Sequence, residues 1–509
     1  MKQYSDLEYL KLPKWKRFLY ALACFFVGIP KAIVNFFKKI GLAIAKFFIG
    51  IKDEFVDIFT TFIHGDWKTK TSYLVMGFGN IARGQILRGL LFLLMEVVFI
   101  FYMVTTGVYY LGKLDNLGDL GPTKVYDPIY DNYTVVYNDN SFKYLLYGVL
   151  TVFFILAFIV TWRMNIKQNK IAEGIIRSGK KLRSGKQDLR SLVDDQFHKT
   201  LLALPLIGIL VFTVLPIVFM ILVAFTNYDG KHNGFSNQLF TWVGWENFST
   251  LLTWSGGGRN YAATFGEVLT WTLMWAFFAT FTNYFLGMGV AMMINKKGIH
   301  FKKFWRTCLV MTIAVPQFIS LLYVSKLFAN DGLVNGLLME WGWIKQPLPF
   351  WTDGSWARVM VIIVNIWIGI PYLMLIATGI LMNIPQDLYE SAKVDGAGPW
   401  KQYTKITLPY MLFVTGPYLL TQFTGNLNNF NVIYLLTGGA PASVSPAPAG
   451  SDLGQTDLLV TWLFKLATGA EADYHTASVL GILVFVVVAV ISLIVYNVMP
   501  STKNEEDFQ

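Results

Sequence analysis

Eight long apolar stretches constrain the fold of this chain more than any other feature. They cover about 89–112, 142–162, 201–226, 263–294, 307–327, 357–382, 409–437 and 476–498. Each is long enough to cross the roughly 30 Å hydrocarbon core of a bilayer, where backbone must be helical to satisfy its own hydrogen bonds. With 54% hydrophobic and 15% charged residues, the chain is too apolar for a water-soluble surface. We therefore predict an all-α integral membrane protein with about eight transmembrane helices.

The charges between these stretches predict the orientation of the chain. Residues 163–200 carry ten Lys or Arg, and the short loop 295–306 carries five; basic residues mark cytoplasmic loops. The alternate loops are poor in basic residues, and we expect them to face outward: 113–141, 227–262, 328–356 and 438–475. Both termini are then predicted to be cytoplasmic. This distribution explains the net charge of +10 without a nucleic-acid partner.

The N-terminal region 1–88 is basic and contains an interrupted apolar segment at about 16–52. Lysines recur there, several of them seven or eight residues apart and so near one helical face. This spacing predicts an amphipathic helix that lies on the membrane lipid. The alternative is a ninth span broken at Pro30, which would place lysines at a costly depth. No cleavable signal peptide is predicted.

Residues for catalysis or metal binding are sparse. The five His lie far apart, and the two Cys, Cys24 and Cys308, lie inside apolar runs, so we predict no metal site. Gly174 and Gly179-Lys180 have the spacing of a phosphate loop, but Lys181 stands where a Ser or Thr is needed. We therefore predict a chain that is not an enzyme and holds no cofactor.

One loop between the sixth and seventh stretches, residues 385–409, has a specific pattern. Glu390 is followed by a small residue and Ala392, Gly396 comes six positions after the Glu, and Ile, Leu and Pro follow at fixed offsets. Pro385 and Pro399 suit helix starts, and Gly396 permits a sharp bend. The sequence thus predicts two short helices joined at a glycine. An ordinary surface hairpin is the alternative.

This pattern resembles the EAA loop of ABC-importer permeases. The resemblance implies that the loop docks into a separate ATPase subunit and transmits its closure to the spans. By matching position, it assigns this coupling role to Glu390, Ser391, Ala392, Asp395, Gly396, Ala397, Ile406, Leu408 and Pro409. Ser391 departs from the commonest Ala, which is a small-for-small change.

Further segments resemble the larger subunit of the maltose/maltodextrin permeases: 314–320, 365–372 and 426–430. The resemblance implies a type I ABC-importer permease that imports maltodextrin-type sugars. It implies as partners a second permease subunit in a heterodimer, two ATPase subunits that use ATP and Mg²⁺, and an extracytoplasmic sugar-binding protein. The chain would then divide into the N-terminal region, two accessory spans with a basic loop at 89–200, a six-helix permease core at 201–500, and a cytoplasmic tail at 501–509.

Amides and aromatic rings inside the sixth and seventh stretches are candidates for a sugar site. Gln422, Asn426 and Asn429 are spaced to project from one helical face, and Gly369 and Tyr372 are three apart. The resemblance puts forward Gly369, Tyr372, Asn426, Leu427 and Asn429, and Gln422 is added from its spacing. Amides and flat rings suit sugar hydroxyls and ring faces. The alternative is that they join helices to one another.

Other functions remain open at this stage. An importer of another oligosaccharide or a polyol would share the loop pattern. Glu96 lies deep in the first stretch and could act as a relay, so a proton-coupled secondary carrier is a second class of function. A membrane scaffold without transport is a third class. The loop 227–262 has only some 35 residues, so we expect no large extracytoplasmic domain there.

Overall fold

The computed structural model describes most of the chain and divides it into two compact units. The described residues are 45–120, 123–136, 138–234, 239–252, 261–296, 298–445 and 452–498, with positions 13, 38 and 41–43 before them. The units are Met1–Gly244 and Trp245–Gln509. Most of the predicted interfacial helix at 16–52 lies outside the described residues, as does the predicted tail at 501–509. Residues 45–64 are helical.

The first unit is mainly helical. Its helices are α1 (Trp67–Thr71), α2 (Phe78–Ile81), α3 (Ile86–Gly112), α4 (Ser141–Arg177), α5 (Gly185–Val193) and α6 (Phe197–Val223). Single π-helical turns interrupt α3 at Met103–Gly107 and α6 at Leu210–Val214. The loop before α4 holds an antiparallel hairpin of β1 (Thr123–Asp127) and β2 (Asn132–Val136). This hairpin departs from the predicted all-helical architecture.

Among its described residues, the second unit has helices and, outside them, an isolated bridge between Ala442 and Gly454. Its helices are α7 (Glu246–Leu252), α8 (Tyr261–Asn295), α9 (Lys302–Ala314), α10 (Gln317–Leu327), α11 (Leu333–Glu340), α12 (Gly354–Leu381), α13 (Gln386–Val394), α14 (Pro399–Gln402), α15 (Leu408–Leu427), α16 (Phe430–Leu436), α17 (Leu459–Thr468) and α18 (Tyr474–Val498). A π-helical turn, Tyr403–Thr407, joins α14 to α15.

Six of the described helices are long and apolar enough to cross a membrane: α3, α4, α6, α8, α12 and α18. The predicted fifth stretch consists of α9 and α10, which meet at a 90° bend. If this pair is counted as one span, the described residues contain seven spans. Val315 is extended there, with φ −79° and ψ 123°, as expected for a residue that precedes proline. The helical multi-span architecture is confirmed, with a broken fifth stretch.

The seventh predicted stretch, 409–437, is also divided. Helix α15 ends at Leu427 and α16 begins at Phe430. Between them the side chain of Asn429 accepts a hydrogen bond from Val432 N–H (3.3 Å) and so caps α16. The break therefore places two consecutive amide residues, Asn428 and Asn429, at a helix junction inside an otherwise apolar segment.

Helices α8 and α12 pack closely because glycines lie between them. A methyl group on Gly287 of α8 would lie 2.7 Å from Leu373 Cβ, and one on Gly369 of α12 would overlap the amide nitrogen of Asn283. Small residues let helix backbones approach where lipid gives no hydrophobic drive for association. The close packing brings polar side chains of α8 against the backbone of α12.

Glu96, the basis of the carrier alternative, has a structural partner in the first unit. Its Oε2 accepts a hydrogen bond from Met76 N–H at 2.8 Å. The segment that contains Met76 also docks on α4, where Asn165 donates to Ser72 O (2.8 Å) and accepts from Gly77 N–H (3.0 Å). Glu96 therefore helps to hold this segment in place, a structural role that accounts for this carboxylate without a proton relay.

Candidate solute cavity and coupling loop

A cavity of about 180 Å³ lies among the helices of the second unit. Helices α8, α10, α12 and α15 contribute to its wall, together with Asn429 at the start of α16. Its lining residues are Ala279, Thr280, Asn283, Gln317, Asn365, Ile368, Gly369, Tyr372, Leu373, Tyr418, Leu419, Gln422, Asn426 and Asn429. None of them is charged, and amides, hydroxyls and aromatic rings dominate. Such a wall suits a neutral, polar solute.

The structure brings together five of the six residues predicted for the sugar site. Gly369, Tyr372, Gln422, Asn426 and Asn429 all line the cavity. The sixth, Leu427, does not: its side chain is packed in the protein and only 2% exposed. Tyr372 is half exposed, at 51%, so its ring is available to a solute. The cavity thus forms where the sixth and seventh predicted stretches meet.

Two of these amides also bond to neighbouring groups. Asn426 donates to Thr280 Oγ1 (3.0 Å), and Asn429 donates to Asn426 Oδ1 (3.2 Å). The carbonyl of Asn426 in turn accepts from Trp275 Nε1 (3.1 Å). These bonds join α15 and α16 to α8, so Asn426 and Asn429 connect helices as well as line the cavity. The two alternatives considered for them are therefore compatible.

Five polar residues that were not predicted as site residues line the same cavity: Thr280, Asn283, Gln317, Asn365 and Tyr418. Three of them hold a buried polar atom without a hydrogen-bond partner among the described residues, namely Asn283 Oδ1, Asn365 Nδ2 and Tyr418 OH. A signal was present for Asn365, since residues 365, 369 and 372 recur at helical spacing on one face. Asn283 and Gln317 are each the single amide in their apolar stretch, so no amide at helical spacing marked a shared face.

The loop 385–409 has the predicted helix–glycine–helix form. Helix α13 ends at Val394, Gly396 adopts the left-handed conformation with φ +72°, and α14 begins at Pro399. Inside the bend, Ala397 N–H donates to Ala392 O (2.8 Å). The loop is anchored to the start of α15 by a hydrogen bond between Tyr389 OH and Thr407 Oγ1 (2.8 Å).

Exposure separates the residues predicted for coupling into two groups. Five of them are exposed and four are half-buried. The exposed group is Glu390, Ser391, Asp395, Gly396 and Pro409, and the half-buried group is Ala392, Ala397, Ile406 and Leu408. Val394 and Trp400, which were not among the predicted coupling residues, are 89% and 75% exposed. Exposed apolar side chains beside carboxylates are typical of a docking surface.

The loop that follows α16 is attached to two spans by specific contacts. Arg358 of α12 donates through Nε to Gln455 O (2.8 Å) and lies 5.0 Å from the ring centroid of Trp271. Trp271 of α8 donates through Nε1 to Thr456 O (3.1 Å). These contacts hold residues 455–456 against α8 and α12.

A buried ion pair stabilises the same loop. The fully buried carboxylate of Asp457 lies 2.7 Å from Lys465 Nζ and also accepts from Gly454 N–H at 2.7 Å. Burial raises the pKa of Asp457, and the adjacent Lys465 opposes that rise. Gly439, at φ +91°, leaves the space that this carboxylate fills. The base of the loop is therefore rigidly built.

Apolar spans around an uncharged polar cavity define a multi-pass membrane transport protein. Comparison with known proteins identifies its family. Residues 283–503 match the family described as binding-protein-dependent transport system inner membrane component.

Three related proteins illustrate the similarity. The maltodextrin transport system permease protein MdxF of Bacillus subtilis (strain 168) is 32% identical over 440 residues, which is 85% of this chain and 95% of that protein. The galactooligosaccharides transport system permease protein GanP of the same organism is 34% identical over 434 residues, 85% and 97% of the two chains. The maltose/maltodextrin transport system permease protein MalF of Escherichia coli (strain K12) is 35% identical over 257 residues, 50% and 48% of the two chains.

The chain belongs to this family of binding-protein-dependent permeases, and the resemblance deduced from its motifs is confirmed. It is a transmembrane permease subunit of an ABC importer.

Proposed function

We propose that this chain passes maltodextrin-type oligosaccharides across a bacterial plasma membrane by alternating access. The observation that carries the proposal is the uncharged cavity, whose amides and hydroxyls match the donors and acceptors of sugar hydroxyls. Its aromatic residues, Tyr372 and Tyr418, offer flat surfaces for sugar rings. The maltodextrin systems among the relatives support the same substrate class.

The importer would contain three further subunits and receive its sugar from an external protein. A second permease subunit pairs with this chain, and two ATPase subunits bind ATP and Mg²⁺ and hydrolyse the nucleotide. The exposed loop 385–409 is the contact with an ATPase subunit, and Glu390 and Asp395 are its charged groups. An extracytoplasmic sugar-binding protein docks on the opposite side, at the loop after α16. Both termini are cytoplasmic in this arrangement.

A galactooligosaccharide is the second candidate substrate. The relative named for such sugars is 34% identical and is covered over 97% of its length, which is as close as the maltodextrin permeases. Both substrates are neutral and rich in hydroxyls, so an uncharged cavity accommodates either. A transport assay therefore has to compare the two.

The proposal is tested by purifying the tagged chain from membranes of its native host and by measuring uptake. We expect a second permease and an ATPase subunit to co-purify, and labelled maltotetraose to enter cells in an ATP-dependent manner. Glu390→Lys should reduce the recovered ATPase by about ten-fold or more, because it reverses the charge that Glu390 offers at the interface, which we expect to cost over about 1.4 kcal/mol. Glu340→Lys, the same change on the exposed end of α11, is the matched control.

Each outcome decides a different part of the proposal. Purification of the chain alone would contradict the importer assembly. If the complex forms but labelled galactotriose enters and maltotetraose does not, the substrate class is wrong. Equal ATPase recovery with Glu390→Lys and Glu340→Lys would remove the coupling role of the loop.

A further inference from the structure

The elbow that joins α8 to α9, residues 295–306, is strongly basic. It carries five Lys or Arg and no Asp or Glu. None of these side chains takes part in an ion pair between described residues. Lys296 and Lys303 are exposed. The elbow therefore presents positive charge that the described part of the chain does not neutralise.

The shortness of the elbow places it at the membrane surface. Helix α8 ends at Asn295 and α9 begins at Lys302, so residues 296–301 alone separate the two helices. Helix α8 is long enough to cross a membrane, and α9 forms the broken span with α10. Such a connection cannot extend far beyond the lipid headgroups. Its charge predicts that it lies on the cytoplasmic side, where the leaflet carries anionic lipids.

Aromatic rings are exposed beside these lysines. Phe301 is 80% exposed, Phe304 58% and Trp305 53%. Phe301 also has left-handed backbone, with φ +57° and ψ 35°, which a bulky residue rarely adopts. A ring left in water gains nothing that offsets this strain, whereas a ring at the headgroup level of a bilayer leaves water. The three rings therefore suit contact with lipid.

Contacts with α8 and α12 hold the elbow in a defined position. The side chain of Asn295 accepts from Arg306 Nη2 (3.0 Å) and donates to Thr378 Oγ1 of α12 (3.3 Å). The backbone carbonyl of Asn295 accepts from Lys302 Nζ (3.1 Å). Lys302 and Arg306 are half-buried in these contacts. The exposed cations, Lys296 and Lys303, are thus presented on an anchored turn.

We propose that the elbow binds an anionic phospholipid. Lys296 and Lys303 contact the headgroup phosphate as point charges, and the rings of Phe301, Phe304 and Trp305 lie against the glycerol and acyl region. The combination of unneutralised lysines and exposed rings matches the two halves of such a lipid, one charged and one apolar. The lipid binds whichever solute the cavity carries, so this site is separate from the proposed function.

The test is a titration with phosphatidylglycerol of the full chain, purified in detergent with the subunits that accompany it. Native mass spectrometry counts the bound lipid, and phosphatidylcholine with the same acyl chains is the neutral reference. Lys296→Gln combined with Lys303→Gln should weaken phosphatidylglycerol binding about 25-fold, since each basic residue near a headgroup contributes about five-fold. The matched control is Lys180→Gln with Lys181→Gln, an exposed pair in the basic loop after α4, which should change little.

A second variant tests the ring without removing charge. Phe301→Asn keeps a residue that tolerates left-handed backbone and removes the apolar contact. We expect about five-fold weaker phosphatidylglycerol binding and a melting temperature that is unchanged or higher. Unchanged binding with Phe301→Asn would overturn the role of the ring.

Four results would contradict the lipid site. Equal losses in the two lysine pairs would assign the effect to net charge and not to the elbow. Equal binding of phosphatidylglycerol and phosphatidylcholine would remove the preference for an anion. Displacement of the lipid by glycerol phosphate at matched concentration would make a soluble phosphate the ligand. Loss of the accompanying ATPase subunit from the elbow variants, with phosphatidylglycerol still bound, would make the elbow a protein contact.

Discussion

The bend of the coupling loop rests on the backbone conformation of one residue. Gly396 has φ +72°, whereas Gly398, two positions later, has φ −67°. No atom lies within 4 Å of the place where a side chain would begin at either position. A side chain at Gly396 is therefore disfavoured by its own backbone and not by its neighbours, since left-handed conformation costs an L-residue about 1–2 kcal/mol.

This difference predicts opposite results for two similar substitutions. Gly396→Ala should weaken binding of the ATPase subunit by about five- to thirty-fold, the equivalent of that backbone penalty. Gly398→Ala should leave it unchanged, because φ −67° suits any residue. Titration of the purified permease with the ATPase subunit measures both. A similar loss in the two variants would show that the bend at Gly396 is not the determinant.

The segment between residues 65 and 85 is held in position by amide side chains of α4. Asn165 and Asn169 are fully buried and bond to Ser72, Gly77 and Asn80 of this segment. Arg83, 1% exposed, completes the contact through Asp66 and Asn169 (2.8 Å to its Oδ1). Partial burial opposes ionisation of Asp66, but hydrogen bonds from Thr69 and the charge of Arg83 hold its pKa below the usual value.

Removal of one of these amides should release the segment without unfolding the spans. Asn165→Ala leaves Ser72 O and Gly77 N–H unpaired, at a cost of about 1–3 kcal/mol each. We expect residues 65–85 to become sensitive to protease in membranes, while α4 stays intact. Lys167→Ala, an exposed position on the same helix, should change nothing. Equal protease resistance in all three proteins would contradict the anchoring role.

Orientation is a property of the whole molecule, and we predict it from the charge distribution. Helix α4, which is 37 residues long, separates two loops of opposite charge. The acidic loop with the β1–β2 hairpin precedes it, and the basic residues around α5 follow it. At 1.5 Å per residue, a helix of this length exceeds a bilayer core by far, so its basic end extends beyond the lipid. Positive charge on that side predicts that the α5 side is cytoplasmic.

Single-cysteine labelling tests this orientation. In a chain with Cys24→Ala and Cys308→Ala, a membrane-impermeant maleimide should label Asp127→Cys in intact cells. Lys181→Cys should react only after the membrane is permeabilised. Reaction of Lys181→Cys in intact cells, with Asp127→Cys protected, would invert the topology and place the coupling loop on the wrong side for an ATPase. Both positions are polar and lie outside the spans, Asp127 partly exposed and Lys181 exposed.

The sequence by itself determined the features that depend on local composition and spacing. Long apolar runs require helices in a bilayer, and the order Glu390, Gly396, Pro399 defines a helix–glycine–helix loop, because proline and glycine restrict the backbone wherever they occur. Spacing alone also predicts that residues 422, 426 and 429 share one helical face. These predictions need no knowledge of which helices are neighbours, and they named five of the residues that line the cavity.

Only the tertiary structure decided which residues meet at that cavity. Asn283 and Asn365 are 82 positions apart and converge because Gly369 lets α8 and α12 approach. Gln317 reaches the same place because the fifth stretch bends by 90°, and Leu427, in the middle of a matching motif, turns into the core. Helical periodicity assigns a residue to a face, whereas the rotation, neighbour and bend of that helix are set by side-chain packing between segments distant in sequence.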